Sequence, residues 1–258
     1  PPVKLLAEEH AIATDQPDTL KNYDINELAN FDIGVTAQYG LLIPESILNA
    51  PKHSILNVHT SILPKYRGAT PIQSALIQGE TETGVTIMKM GKGLDTGPIL
   101  LQGSIAIDPD DTYLELDKKL APLGAELLLE AIPKYVEGSL ITQGQDNSLA
   151  TSCKQFSRED GKIDWNKTAT DIYNQYRGLT PWPGVWTMWK DKRLKLLRIS
   201  PAEKNISAGK IEVDDDKLYI GTSKNSIEIH ELQLEGKSSM DSIIFLQGNQ
   251  INTKQLSL

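Results

Sequence analysis

The spacing of apolar positions divides the chain into two parts of different character. Up to about residue 137, short alternating or continuous apolar runs at 32–37, 54–59, 84–90 and 99–107 read as strands, and 12–14 as a further short one. Between them apolar residues recur three and four apart. Helices are therefore expected at 1–10 (Val3, Leu6, Ala7), at 24–31, at 70–78 with Ile72, Ala75 and Leu76 on one side, at 110–120, and at 124–137 with Leu127, Leu128 and Ala131 inward. Interleaved helices and strands imply a parallel α/β sheet. The second part changes period: after a helix at 169–178 and a proline-bounded turn at 180–184, short β-like runs at 186–198, 209–213, 217–222 and 227–234 suggest a small barrel. Residues 138–161 are rich in Gln, Ser, Thr, Asn and Gly without a period, and read as a linker. The expected division is an α/β domain over 1–140, a linker over 141–161 and a β domain over 162–258.

Composition narrows the classes. A 39% hydrophobic content supports buried cores, and no apolar run reaches the ~18 residues of a membrane helix. No charged-then-apolar leader stands at the start, so a cytoplasmic address, in a bacterium or an organelle matrix, and no membrane partner are expected. Cys153 is the single cysteine, which rules out an internal disulfide and a cysteine-rich metal site; it reads as a bystander thiol, and no metal is expected. The net charge of −8 argues against general affinity for nucleic acid, but it is uneven. Residues 1–156 carry 11 Lys and Arg against 20 Asp and Glu, whereas 157–258 carry 15 against 14.

Candidate chemistry lies between residues 55 and 100. On a strand, Asn57 and His59 project from the same face and Leu56 and Val58 from the other. Pro64 and the Arg67-Gly68 turn end the run, placing the polar pair at the carboxyl end, where open α/β sheets bind ligands. A lone strand histidine is ordinarily a hydrogen-bonded core or rim residue; an asparagine beside it on the same face makes a site the better reading. Asp95, in Gly93-Leu94-Asp95-Thr96-Gly97, is either a turn former or a third member. In the second part Trp186, Trp189, Lys190, Lys192, Arg193, Lys195 and Arg198 interleave basic and aromatic side chains. Such a run suits phosphate contact and base stacking, or a solvated strand face with tryptophans in the core.

The pattern Asn57-x-His59-x-Ser61-x-Leu63-Pro64, followed by Arg67-Gly68-Ala69-Thr70-Pro71 and an Asp-Thr-Gly downstream, resembles the folate-dependent formyltransferases. With Glu82-Thr83-Gly84-Val85-Thr86 and Thr180-Pro181-Trp182-Pro183-Gly184, the resemblance runs from Pro2 to about Leu246 and is strongest to the branch acting on initiator methionyl-tRNA. It implies a Rossmann-like formyltransferase domain with a C-terminal barrel like the oligonucleotide-binding fold. It also implies formyl transfer from 10-formyltetrahydrofolate at the start of translation, with Asn57, His59 and Asp95 catalytic. Ser61, Ile62, Leu63 and Pro64 would line the folate cleft, and backbone near Leu41, Leu42 and Ile43 would hold the pterin. Initiator methionyl-tRNA would meet Lys190, Lys192, Arg193, Lys195 and Arg198, and the complete protein would be a monomer. Thr60, Ile62 and Gln155 depart mildly from the pattern. The family's first strand, first helix and a basic loop would lie ahead of Pro2, so these 258 residues alone are expected to be inactive.

Alternatives differ in acceptor or class. A related enzyme acting on a small amine, a nucleotide or an amino sugar, or a formyltetrahydrofolate hydrolase, shares the same three residues. An aspartic protease would need two Asp-Thr-Gly loops, and one is present. An RNA-binding protein that kept the barrel without turnover is the non-enzymatic alternative.

Overall fold

The computed structural model describes residues 2–248. Its first sheet has the order β1-β2-β4-β5, with β1 Gly34–Ala37, β2 Ile55–His59, β4 Glu82–Lys89 and β5 Ile99–Ala106. β1 and β2 run parallel, as the interleaved pattern implies. The pairs β2–β4 and β4–β5 are antiparallel, a departure from an all-parallel sheet. A loop of nine residues between Lys89 and Ile99 is too short for the dozen or more residues of a crossover, so the chain turns straight back.

Helices cover this sheet. The expected break near residue 122 is absent: α4 Tyr113–Val136 runs unbroken for 24 residues through Pro122 and Pro133, started by a capping box between Thr112 and Glu115. Its buried stripe, Leu116, Leu120 and Ala131, closes a core with Leu56, Val85, Ile87, Leu100 and the inner side of α3 Pro71–Ile77. Two other expectations shrink. Residues 12–14 form no strand, and 24–31 tighten to one 3-10 turn at Leu28–Asn30. The first helix is α1 Pro2–Glu9, with no buried residue, and α2 Glu45–Leu48 is a single turn packed on Ile55.

Residues 141–161 are pinned along their length. Gln143 exchanges two backbone hydrogen bonds of 2.8 Å with Ile99, and β6 Ser152–Cys153 pairs in parallel with β3 Arg67–Gly68. Gly68, at φ +122°, lets this pairing close. A Cβ there would overlap the Cys153 carbonyl.

The second core lies under one antiparallel sheet of order β7-β8-β11-β10-β9. Its strands are β7 Val185–Trp189, β8 Lys192–Ala202, β9 Ile211–Asp214, β10 Lys217–Gly221 and β11 Ser226–Leu234; β12 Met240–Asp241 pairs β11. The run expected at 186–198 is therefore two strands, hinged at Lys190 with φ +56°. The barrel expectation is met by a sheet whose hydrogen-bonded path is open: no β7–β9 pairing occurs among the described residues. α5 Ala169–Leu179 and α6 Ser242–Gly248 cover it, Ile172, Tyr176, Leu179 and Phe245 filling the core.

The two cores meet where α5 crosses α3. Gly178 lets the helices close, because a Cβ there would press on the Gln73 carbonyl and Ile77. Beside it Arg177, 5% exposed, donates to the carbonyls of Asp111 (3.1 Å) and Asp108 (3.4 Å) and to Asn174 Oδ1 (2.6 Å).

Candidate active site

Three segments converge at the carboxyl end of β2. Parallel pairing sets Thr36 of β1 against Asn57 of β2, and the Thr36 hydroxyl donates to Asn57 Oδ1 at 2.9 Å. With its oxygen engaged, Asn57 turns its Nδ2 donors outward, where they meet no protein acceptor among the described residues.

Two residues on, His59 is 5% exposed, and its Nε2 donates to the Tyr66 carbonyl at 3.0 Å. A carbonyl only accepts, so this contact fixes the proton on Nε2 and leaves Nδ1 with a lone pair when the ring is neutral. Nδ1 lies 3.6 Å from Asp95 Oδ2. Burial holds the His59 pKa below its ordinary value, opposed in part by the Asp95 charge and the Tyr66 contact, so the neutral ring is the resting form. A basic nitrogen and a carboxylate oxygen then face each other without a proton between them. That is a cradle for a group carrying N–H or O–H bonds.

Asp95 sits at φ +50°, a left-handed conformation that aspartate tolerates, and its Oδ2 accepts the Gly68 backbone N–H at 2.8 Å. The 61–64 loop is rigid. Thr86 Oγ donates to the Ser61 carbonyl (2.7 Å) and accepts the Leu63 N–H (3.1 Å), while Gln102 Nε2 donates to the Leu63 carbonyl (2.9 Å). Ser61 is wholly buried, its hydroxyl spent on the Lys65 carbonyl at 2.7 Å, and Leu63 is 2% exposed. The side chains of Ser61 and Leu63 thus shape the loop, while Ile62 and Pro64 are partly exposed. From the matching end of β1 issues the segment with Leu41 and Leu42, the latter 93% exposed; Ile43 turns inward against Ile47 and Ile55.

The basic run is divided. Lys190 and Lys192 flank the β7–β8 turn, whereas Arg193 stacks on Trp186 (4.1 Å) and faces Glu159 (3.2 Å). Lys195 pairs Trp186 in register, and Arg198 lies farther along beside Asp241 (3.6 Å). Trp186 and Trp189 are both 5% exposed, so the tryptophans are core and the cations alone face solvent.

Sequence reasoning missed Thr36, the Tyr66 carbonyl and Gln145, whose amide bonds the turn that carries Asp95. Thr36 could have been found by pairing the two strands in register. Gln145 lies in an aperiodic polar run and gives no local signal.

The profile described as formyl transferase matches residues 1–132, and that of the formyl transferase C-terminal domain matches 155–250. The methionyl-tRNA formyltransferase of Geobacter sulfurreducens is 40% identical over 252 residues, 96% of this chain and 80% of that protein. The chain belongs to the formyl transferase family. The methionyl-tRNA formyltransferase of Caldanaerobacter subterraneus is 43% identical, over 97% of this chain and 83% of its own. Among solved structures, HypX from Aquifex aeolicus, in complex with tetrahydrofolic acid, aligns with a TM-score of 0.66 at 18% identity, covering 86% of this chain and 39% of that one. WlaRD, a sugar 3N-formyl transferase, aligns at 0.63 and 23%, over 92% and 82%. At these identities the structural likeness speaks for the fold.

Proposed function

We propose that the chain transfers a formyl group from 10-formyltetrahydrofolate to the amino group of initiator methionyl-tRNA, supplying formylated initiator for translation. The observation that carries this reading is the meeting of Asn57, His59 and Asp95 at the carboxyl end of β2, each held by a partner that leaves its reactive atom available. The methionyl-tRNA enzymes among the relatives, matched over both parts of the chain, support the choice of acceptor.

Formyl transfer to an amine needs donors for an oxygen gaining negative charge and a base for the amine proton. The outward Nδ2 of Asn57 serves the oxygen. The Nδ1 of neutral His59 and the Asp95 carboxylate receive the amine N–H groups; one of them takes the proton as the nitrogen bonds to the formyl carbon, and that proton passes to the folate N10 as the carbon–N10 bond breaks and tetrahydrofolate leaves. No covalent enzyme intermediate is required, and Cys153, whose thiol donates to the Tyr66 and Arg67 carbonyls, stays out of the chemistry. The folate donor fits the residues at the sheet's carboxyl edge: Leu41 and Leu42 with Ile62 and Pro64 offer exposed or partly exposed apolar surface, and the loop backbone offers donors and acceptors for a flat heterocycle. The exposed cations at and beyond the β7–β8 turn would meet tRNA phosphates.

Asn57→Ala, His59→Ala and Asp95→Ala are each expected to lower formylation of methionyl-tRNA by about 100-fold or more, with folate binding changed far less. Wild-type turnover in any one of them removes that residue from the mechanism. Equal turnover with methionyl-tRNA and a free amino sugar would shift the reading to a small-amine enzyme.

A further inference from the structure

We propose that Gln145 is a positioning residue for this reaction: it clamps the turn that carries Asp95, so that the carboxylate is held facing His59. The inference rests on the reading of Asp95 and His59 as reacting groups.

The clamp uses every hydrogen-bonding position the side chain has. Its Nε2 donates to the Asp95 carbonyl at 2.8 Å and to the Gly97 carbonyl at 2.7 Å, spanning the turn from both ends. Its Oε1 accepts from Arg67 Nε at 3.0 Å and Nη2 at 2.7 Å. A primary amide offers two donors and two acceptor lone pairs, and a glutamine two methylenes from the backbone brings all four to bear; glutamate lacks the donors, methionine has neither, and asparagine is shorter. The anchoring on both sides is firm. Gln143 is bonded to Ile99 through both backbone groups, Arg67 Nη2 also donates to Asn147 Oδ1 at 2.9 Å, and Arg67 N donates to the Thr151 carbonyl at 2.9 Å.

The consequence falls on Asp95. Its left-handed backbone, at φ +50°, lacks the support of a regular element, and among the described residues two hydrogen bonds hold it: Gln145 on the carbonyl side and the Gly68 N–H on the carboxylate. Arg67 and Gly68 are neighbours, so a single bridge ties the turn below the carboxylate to the strand that binds it from above. A polar stretch remote in sequence thereby sets the 3.6 Å separation between Asp95 and His59. A shift of the order of 1 Å in a reacting group can cost about 100-fold in rate.

The groups facing His59 are few. Asp95 is the charged one, the Tyr66 carbonyl receives Nε2, and the Cys153 thiol shares that carbonyl; the Tyr66 phenol is turned away to Glu80. Displacing Asp95 removes the interaction that favours protonated His59, so the ring should titrate at lower pH.

The test compares Gln145→Met and Gln145→Glu with wild type and with Asp95→Asn, measuring kcat, KM for each substrate and the acid limb of the kcat profile. The His59 imidazole is also titrated by NMR, its signal assigned through His59→Asn. Expected are a kcat loss of about tenfold or more in both Gln145 variants, KM for folate within about threefold, and, in Gln145→Met, a His59 titration and acid limb displaced to lower pH in the same direction as in Asp95→Asn. Gln145→Glu keeps the acceptors for Arg67 and loses the donors but adds a charge that itself favours protonated His59, so it is read through kcat, and the uncharged Gln145→Met carries the titration. A Gln145→Glu protein with wild-type kcat, or a Gln145→Met protein with an unmoved His59 titration, overturns the proposal. Should Gln145→Met fail to fold, Gln145→Glu alone decides. Wild-type activity in Asp95→Asn would overturn instead the reading on which the proposal rests.

Discussion

At the scale of single residues the site depends on which atom of each side chain is already engaged. Thr36 takes the Asn57 oxygen and frees its nitrogen; the Tyr66 carbonyl takes His59 Nε2 and frees Nδ1. On the proposed mechanism the second contact makes turnover depend on pH, since Nδ1 can accept a proton only while the ring is neutral. Burial lowers the His59 pKa below about 6.5, so kcat should hold through neutral pH and fall, with unit slope, only on acidification below that value. Stability moves with the same sign. Between the folded and unfolded pKa values the unfolded chain binds the proton and the folded one does not, so acidification through that window favours unfolding. Replacing His59 with Asn should flatten the stability-versus-pH curve of the folded protein in that window relative to wild type, read by urea unfolding at several pH values. A steeper curve, or an acid limb above 6.5, would mean that His59 rests protonated. Of this site, Asn57, His59 and Asp95 were legible in the chain, because a strand's alternation and a turn's composition are local properties. Their partners were not, since Thr36 acts through register, Tyr66 through a backbone carbonyl and Gln145 from 50 residues away in the chain.

At the scale of elements the strands around the site were legible to within a residue or two, and the misreadings have definite causes. Residues 24–31 carry a helical pattern but tighten to a single 3-10 turn, with Ile25 and Leu28 packed on the small cluster around Ile47 and Ile55. The long helix α4 shows the reverse. Pro122 and Gly124 read as a break, yet packing of Leu116, Leu120, Leu127 and Ala131 on the sheet holds both halves in line. The helix therefore tolerates a proline that removes an intrahelical hydrogen bond and crowds the Lys118 carbonyl. Pro122 is exposed and in the helix interior, so its replacement should be beneficial. Pro122→Ala is expected to stabilise the protein by about 1–3 kcal/mol, the lower figure allowing for the extra freedom of the unfolded chain. The urea midpoint should rise with an unchanged m-value. A fall in the midpoint would show that the proline's restriction of the unfolded chain outweighs its cost within the helix.

Across the whole molecule, two cores of opposite organisation meet at α3 and α5, and charge is divided between them. The first 156 residues carry an excess of nine acidic groups and the remainder an excess of one basic group, so a polyanion is repelled in general and can be held only where cations are locally unopposed. The five basic residues around β8 differ in that respect. Arg193 faces Glu159 and Arg198 faces Asp241, while Lys192 and Lys195 meet no carboxylate among the described residues. A cation that already has a counter-charge neutralises a phosphate less fully, so fewer of the cations condensed on the RNA are released. Binding of methionyl-tRNA should therefore lose about 0.7–0.9 of log-log salt slope for each phosphate contact removed, and the loss should be unequal. Neutralising Lys192 and Lys195 together, as Lys192→Gln with Lys195→Gln, should flatten the slope by roughly 1.4–1.8, the sum of two contacts. The pair Arg193→Gln and Arg198→Gln should flatten it by less, because Glu159 and Asp241 already offset part of the charge those arginines bring to a phosphate. Equal slopes in the two double variants would mean that the ion pairs yield freely to tRNA, and an unchanged slope in the lysine pair would move the tRNA surface away from the β7–β8 turn.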